Sequence, residues 1–134
     1  MGLRAAKPWW YVRGDMTVMV EKVSAVTLRV TNMRNSVRFY RDVLGLELLS
    51  GGERSCFTSL RAKDSRSAIL NLEQGHSATG WGRVIFYVGD VDTFWAYLQG
   101  KGFHPDSPQD ASWGERYFHM SDPDGHELSF ARPL

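Results

Sequence analysis

The alternation of apolar and polar residues predicts a strand, a helix and then three more strands in the first half of the chain. In the segment VSAVTLRVT, residues 23–31, Val26, Leu28 and Val30 share one face, as in a half-buried strand. The following NMRNSVRFYRDVLG has apolar residues at helical spacing, with Asn35 or Ser36 as a possible cap. The segments LELLS, SCFTSL and SAILNLE are then typical of strands.

The second half of the chain repeats this order. RVIFYVG predicts a strand with Val84 and Val88 on one face, and DVDTFWAYLQGKG predicts a helix that begins at an aspartate cap. A weak strand near FHPDSPQ, the strands ERYFHMS and HELSFAR, and the tight turn DPDG between them follow. An offset of 58 residues places Val30 on Val88 and Asp64 on Asp122. We therefore predict an internal duplication, in which each half has one helix covering one side of a four-stranded sheet.

Composition and charge exclude several classes of protein. A chain of 134 residues with 43% hydrophobic residues has about the length and core of one domain. The 16 basic and 15 acidic residues form no long run of one sign, which argues against a nucleic-acid partner. No run of about 18 apolar residues is present, so we expect no membrane-spanning helix. We predict one domain over residues 16–134 and an N-terminal tail over residues 1–15, whose Trp9 and Trp10 pack on the domain or on a partner.

The only cysteine, Cys56, lies in the predicted strand RSCFTSL. We expect a buried and inert thiol there rather than a nucleophile. A lone cysteine cannot form an internal disulfide, and this favours a cytoplasmic location.

Two segments carry a resemblance to a known family. SVRFYRDVLGLEL in the first half, followed by DPDGHELSF in the second, resembles the vicinal oxygen chelate superfamily of glyoxalase I, bleomycin-resistance proteins and extradiol dioxygenases. The resemblance covers about residues 23–132 and implies an α+β fold of two tandem βαβββ modules, about residues 22–74 and 82–132. These modules would form a curled mixed sheet around an open cleft, with the helices outside. The resemblance also implies a homodimer.

The positions of the family's metal ligands hold unsuitable residues in this chain. Metal-using members commonly place a histidine on the first strand and a carboxylate on the last strand of each module. Carried over, these positions are Ala25, Arg83, Asn71 and Ser129. Alanine has no donor atom, arginine stays protonated, and the amide and the hydroxyl are weak neutral ligands. We therefore expect neither a metal nor another cofactor.

Strand parity predicts which side chains face the cleft. An arginine there can bind a carboxylate, phosphate or phenolate, or it can pair with a glutamate across the cleft. Trp81 and Trp113 flank the strands and are candidates for the rim. We predict a small anionic or aromatic ligand, bound without a metal, and no catalytic residue is assigned. The predicted ligand-binding residues are Arg29, Asn71, Glu73, Arg83, Tyr87, Trp113, Glu127 and Ser129.

Three alternative functions remain open. The first is a metal-dependent lyase or oxidoreductase of the glyoxalase or dioxygenase type, with a displaced ligand set at Glu73 or Glu127. The second is a metal-free enzyme in which one of these glutamates is the general base and Arg83 stabilises an enolate. The third is a partner-binding domain that uses its tryptophan-bearing tail. Small-molecule binding ranks first because it needs only a shaped pocket.

Overall fold

The computed structural model describes residues 21–134, which form two four-stranded sheets and two helices. The predicted tail and its tryptophans lie outside this range. The predicted order of elements and the two-module α+β architecture are confirmed. The elements are β1 (Ala25–Val30), α1 (Met33–Val37), β2 (Glu47–Ser50), β3 (Phe57–Arg61), β4 (Ile69–Gln74), β5 (Arg83–Tyr87), α2 (Val91–Gly100), β6 (Gln109–Asp110), β7 (Glu115–Ser121) and β8 (Glu127–Pro133).

The two sheets have the same topology. The first has the strand order β1-β4-β3-β2, and the second has the order β5-β8-β7-β6. In each sheet the first and last strands of the module pair in parallel, and the other neighbours are antiparallel. The repeat seen in the sequence is therefore a repeat of structure.

The two helices begin at equivalent caps. The Asn32 side chain accepts a hydrogen bond from the Asn35 N–H at 3.1 Å, and Asp90 accepts one from the Thr93 N–H at 2.8 Å. These caps align at the 58-residue offset. The predicted cap at Asn35 or Ser36 is wrong, because the cap is Asn32 and α1 starts earlier. A π-helical turn, Arg38–Val43, continues α1.

The helix-covered sides of the two sheets share one hydrophobic core. Helix α1 packs on β4, and α2 packs on β7 and β8. The Phe39 and Phe103 rings meet edge to face with centroids 5.6 Å apart, and the Tyr97 hydroxyl donates to the Val43 carbonyl at 2.8 Å. The modules thus contact each other through their helix sides. No helix within residues 21–134 has the length and apolar character needed to cross a membrane.

A buried carboxylate joins the two modules. The Tyr40 hydroxyl of the first module donates to Oδ2 of Asp122 in the second at 2.6 Å. Oδ1 of Asp122 accepts the backbone N–H groups of Asp124 and His126, both at 2.9 Å. Burial and the neighbouring Asp122 raise the pKa of Tyr40 well above its usual value, so its hydroxyl stays protonated and continues to donate.

The DPDG turn also reaches the start of α1. Oδ1 of Asp124 accepts the Thr31 N–H at 2.9 Å and the Thr31 hydroxyl at 2.6 Å, and Oδ2 accepts the Ser36 hydroxyl at 3.3 Å. The turn predicted from Pro and Gly is present, with Gly125 at a φ of 88°. Its role in joining the modules was not predicted.

The prediction that Cys56 is buried in a strand is wrong. Strand β3 begins at Phe57, and Cys56 precedes it as an exposed residue. The Thr58 hydroxyl donates to the Gly52 carbonyl at 3.1 Å and accepts the Gly52 N–H at 3.0 Å. These bonds fold the preceding loop back on the strand, and Cys56 lies at the end of this loop.

We expect Asp122→Ala to lower the free energy of unfolding by about 3–5 kcal/mol, because it leaves the Tyr40 hydroxyl and two backbone N–H groups without their acceptor. Tyr40→Phe should cost less, about 1–2 kcal/mol. The matched control is Asp64→Ala, since Asp64 aligns with Asp122 but is exposed and pairs with Arg66 at 3.1 Å. Urea denaturation, monitored by tryptophan fluorescence, measures the free energy of unfolding of all three variants. Equal losses of unfolding free energy in the two aspartate variants would contradict the role of Asp122 as the buried acceptor that joins the modules.

Candidate functional site

The odd-numbered side chains of β5, β7 and β8 form the outer face of the second sheet, opposite the helix-covered core. Strand register arranges them in rows. Ala131 of β8 lies between Tyr87 and Tyr117, and the neighbouring row places Ser129 between Ile85 and His119. Ser129 and Ala131 are small and buried. The face is therefore a trough with a floor of small residues and walls of larger ones.

One end of the trough is aromatic. Trp113 stacks on Tyr117 with centroids 5.6 Å apart, and Tyr117 lies against the His119 ring at 4.9 Å. The Glu115 carboxylate accepts hydrogen bonds from the Tyr87 hydroxyl and, at 2.9 Å, from the Trp113 indole N–H. These two bonds lower the pKa of Glu115, so the carboxylate stays ionised and holds both rings. Tyr87 is 62% exposed and Trp113 is 68% exposed, so their rings are available to a ligand.

The other end of the trough is polar. An Arg83 N–H lies 2.8 Å from Nε2 of His119, and Nδ1 of His119 lies 2.6 Å from the Ser129 hydroxyl. Because a guanidinium can only donate, Nε2 must accept, and the ring proton on Nδ1 donates to Ser129. Burial, and then the charge of Arg83, lower the pKa of His119 and favour this neutral form. His119 therefore cannot take the Ser129 proton, so the pair does not form an activated nucleophile.

A cavity of about 430 Å³ opens beside this polar end. Its walls include Arg83, Glu127 and His119 from the sheet, and His104 and Asp106 from the segment along β7. The cavity can therefore offer both donors and acceptors to a polar group. Cavities of about 570 Å³ at the junction of the modules and about 440 Å³ beside α2 are lined mainly by apolar residues.

The predicted site residues fall into two groups. Arg83, Tyr87, Glu127 and Ser129 lie on the outer face of the second sheet, with Trp113 at its aromatic end. Arg29, Asn71 and Glu73 lie at odd-numbered positions of β1 and β4, on the equivalent face of the first sheet. No hydrogen bond or ion pair in the described part of the chain links the two groups.

The ion pair of Arg83 lies within one sheet and does not cross a cleft, as the sequence had suggested it could. Arg83 pairs with Glu127 at 3.4 Å, but these residues are opposite each other on the paired strands β5 and β8. Asn71 accepts from the Ser59 hydroxyl at 2.7 Å and donates to Thr27 at 3.4 Å, within the first sheet. Among residues 21–134, Arg29 has no ion pair.

The sequence prediction missed the trough residues of β7 and Ala131 of β8, and Trp81 has a different place. The alternation in ERYFHMS puts Glu115, Tyr117 and His119 on the same face as Ser129, which was the available signal. The Trp81 indole N–H lies 3.4 Å from Nδ1 of the buried His126. Trp81 therefore borders the junction of the modules.

The donor set does not fit a divalent metal. Ala25 has no donor, the Asn71 amide is bonded within its sheet, and Arg83 and Ser129 are bonded to His119. Over residues 21–134, no three or more His, Cys, Asp or Glu side chains group as metal ligands would. Side chains of this kind cannot replace the imidazole and carboxylate that such a metal prefers.

Comparisons with known proteins agree with this fold. The model of the Glyoxalase/Bleomycin resistance protein/Dioxygenase superfamily matches residues 22–130. Metallothiol transferase FosB of Staphylococcus epidermidis is 38% identical over 117 residues, 82% of each chain. The structure of TnmS3, an antibiotic binding protein from Streptomyces sp. CB03234, is 26% identical with a TM-score of 0.71 and covers 86% of this chain and 98% of its own. Lactoylglutathione lyase from Agrobacterium tumefaciens shares the fold, with a TM-score of 0.70. It is 19% identical and covers 84% of this chain and 94% of its own.

We expect the purified, untagged protein to retain only traces of metal after exposure to Zn²⁺, Ni²⁺, Mn²⁺ and Fe²⁺ followed by dialysis. Elemental analysis measures the metal content. Glu73→Gln and Glu127→Gln should leave that content unchanged. Near-stoichiometric metal that disappears in either variant would establish a displaced metal site and contradict this expectation.

Proposed function

Because the chain belongs to the Glyoxalase/Bleomycin resistance protein/Dioxygenase superfamily, we propose that it binds a small planar aromatic molecule in the trough of its second sheet, without a metal ion. The observation that carries this proposal is the floor of small residues, with Ala131 between the rings of Tyr87 and Tyr117 and Ser129 in the next row. A flat ring fits over small residues and gains contact with the aromatic walls. Each aromatic contact contributes about 0.5–1.5 kcal/mol beyond the apolar area that it buries.

Arg83 determines which polar group a ligand can place at the polar end of the trough. Its contact with His119 holds the guanidinium in place, while its pairing with Glu127 is long and about half exposed. An exposed ion pair of this kind contributes little, so a ligand can displace it at small cost. The group that best replaces Glu127 is a carboxylate, a phenolate or another oxygen acceptor.

The relatives include both a binding protein and a metal-dependent enzyme, so the choice between these functions rests on the donor set. TnmS3 is an antibiotic binding protein, and its structure covers most of this chain. FosB is a metallothiol transferase, and it motivates the alternative of a metal-dependent enzyme. The donor set at Ala25, Asn71, Arg83 and Ser129 disfavours this alternative.

A homodimer would bring the two groups of predicted site residues together. The outer faces of both sheets expose large apolar side chains, with Phe57 47% exposed on the first and Ile85 58% exposed on the second. We propose that the outer face of the first sheet of one protomer covers the trough of its partner. Arg29, Asn71 and Glu73 would then complete the partner's site.

A cytoplasmic location is part of the same proposal, because the sequence contains a single cysteine. Fractionation of cells that express the protein tests it, and recovery in a membrane or secreted fraction would refute it.

We expect 2-naphthoate, a planar aromatic carboxylate, to bind with saturable quenching of tryptophan fluorescence. Arg83→Gln should weaken this binding about tenfold or more, because it removes a charge-assisted hydrogen bond to the carboxylate. Arg66→Gln is the matched control, since Arg66 is an exposed arginine of the first module that pairs with Asp64 and is on none of the strands of the trough. Calorimetric titration supplies a second measurement. Equal affinity of the Arg83 and Arg66 variants would refute the assigned role of Arg83.

For the dimer, we expect Phe57→Glu and Ile85→Glu each to produce a monomer, because each places a charge in an apolar contact between protomers. Light scattering after size-exclusion chromatography measures the mass. Val23→Glu is the control, since Val23 is an exposed apolar residue that precedes β1. A monomeric wild-type protein, or a dimer that survives both substitutions, would rule out the proposed contact.

A further inference from the structure

An arginine cluster lies on α1 and its π-helical continuation, apart from the trough of the second sheet. Arg34, Arg38 and Arg41 follow one another at helical spacings of four and three residues. The loop between β2 and β3 brings Glu53 and Arg54 against them. The four arginines, residues 34, 38, 41 and 54, are called the arginine cluster below.

Glu53 fixes the arrangement of the helical arginines. Its Oε1 accepts from Nε of Arg38 at 2.8 Å, and its Oε2 accepts from Arg41 at 3.0 Å. Nε of Arg34 lies farther from Oε1, at 3.6 Å. Hydrogen bonds from Arg41, and then Arg38, lower the pKa of Glu53, so the carboxylate stays ionised near neutral pH.

The arginine cluster has more positive charge than its own carboxylates neutralise. The cluster has four guanidiniums, and within residues 21–134 its ion pairs reach only two carboxylates, Glu53 and, 2.7 Å from Arg41, Asp42; two positive charges are therefore in excess. Arg34 and Arg54 donate no hydrogen bond to another residue within 21–134. By contrast, Arg116 is held between Asp92 and Asp110 at 2.7 and 2.9 Å. Donors therefore remain free at the arginine cluster.

These free donors surround a cavity of about 320 Å³, lined by Arg34, Arg38, Glu53 and Arg54. We propose that this cavity binds a compact polyvalent anion, such as the pyrophosphate or phosphate monoester group of a small molecule. Guanidinium groups match phosphate oxygens in geometry and charge. Arginines four residues apart on a helix repel one another, and a bound anion would relieve this repulsion.

The occupied cavity would be a second site, separate from the aromatic trough. The cluster belongs to the first module, whereas Arg83 and the rings of the trough belong to the second. Anion binding at the cluster should therefore be independent of Arg83.

Calorimetric titration with inorganic pyrophosphate tests this site, with sodium chloride at matched ionic strength as the reference. We expect saturable binding by the wild-type protein and a higher midpoint of thermal unfolding, because the anion binds only the folded state. The double variant Arg34→Gln/Arg54→Gln should lose about tenfold or more in affinity. It keeps the contacts of Glu53 with Arg38 and Arg41, so its fold should persist, which circular dichroism checks.

Arg66→Gln and Arg83→Gln serve as controls and should bind pyrophosphate as the wild-type protein does. Binding no stronger than in chloride would overturn the proposal, as would loss of binding in Arg83→Gln, which would assign the anion to the trough. The double variant should also bind 2-naphthoate normally. The two sites are thereby tested separately.

Discussion

The buried carboxylate of Asp122 is the contact on which the relation between the modules depends. It accepts the Tyr40 hydroxyl from one module and two backbone N–H groups from its own turn. Just after this turn, Nε2 of His126 lies 2.7 Å from the Arg29 carbonyl at the end of β1. The start of β8 is thus held from both sides. Since β8 provides the floor of the trough, the shape of the trough depends on a contact that lies outside it.

Much of the fold could be predicted from the sequence, because apolar alternation is a local property. It correctly grouped Arg83, Tyr87, Glu127 and Ser129 on one face, and the same rule would have added Glu115, Tyr117 and His119 from β7. Alternation says which residues share a face of a strand, but not which faces meet. For this reason the sequence could not show that, within residues 21–134, Arg29, Asn71 and Glu73 make no hydrogen bond or ion pair with the second group. The exposed loop before β3 is held by hydrogen bonds between Thr58 and Gly52, which no periodicity reveals.

Arg83 occupies a position that the family resemblance gives to a metal-binding histidine. Like a bound metal ion, a guanidinium places a positive charge at this position, but it contacts a ligand in a different way. A metal ion accepts electron pairs from several directions, whereas Arg83 donates hydrogen bonds in its own plane, and His119 fixes part of that plane. Selectivity at this end of the trough would then come from the direction of the ligand's oxygen atoms. The aromatic end, organised by Glu115, would select for shape.

The alignment of Asp64 with Asp122 has a consequence for how the two halves can change. The second turn, at Asp122, is a buried joint between the modules, whereas the aligned turn at Asp64 is exposed. Residues inserted near Asp64 would extend into solvent, whereas residues inserted near Asp122 would separate the modules. The two hairpins therefore differ in the freedom to acquire new sequence. Variation in length among descendants of this chain should accumulate in the first hairpin and be rare in the second.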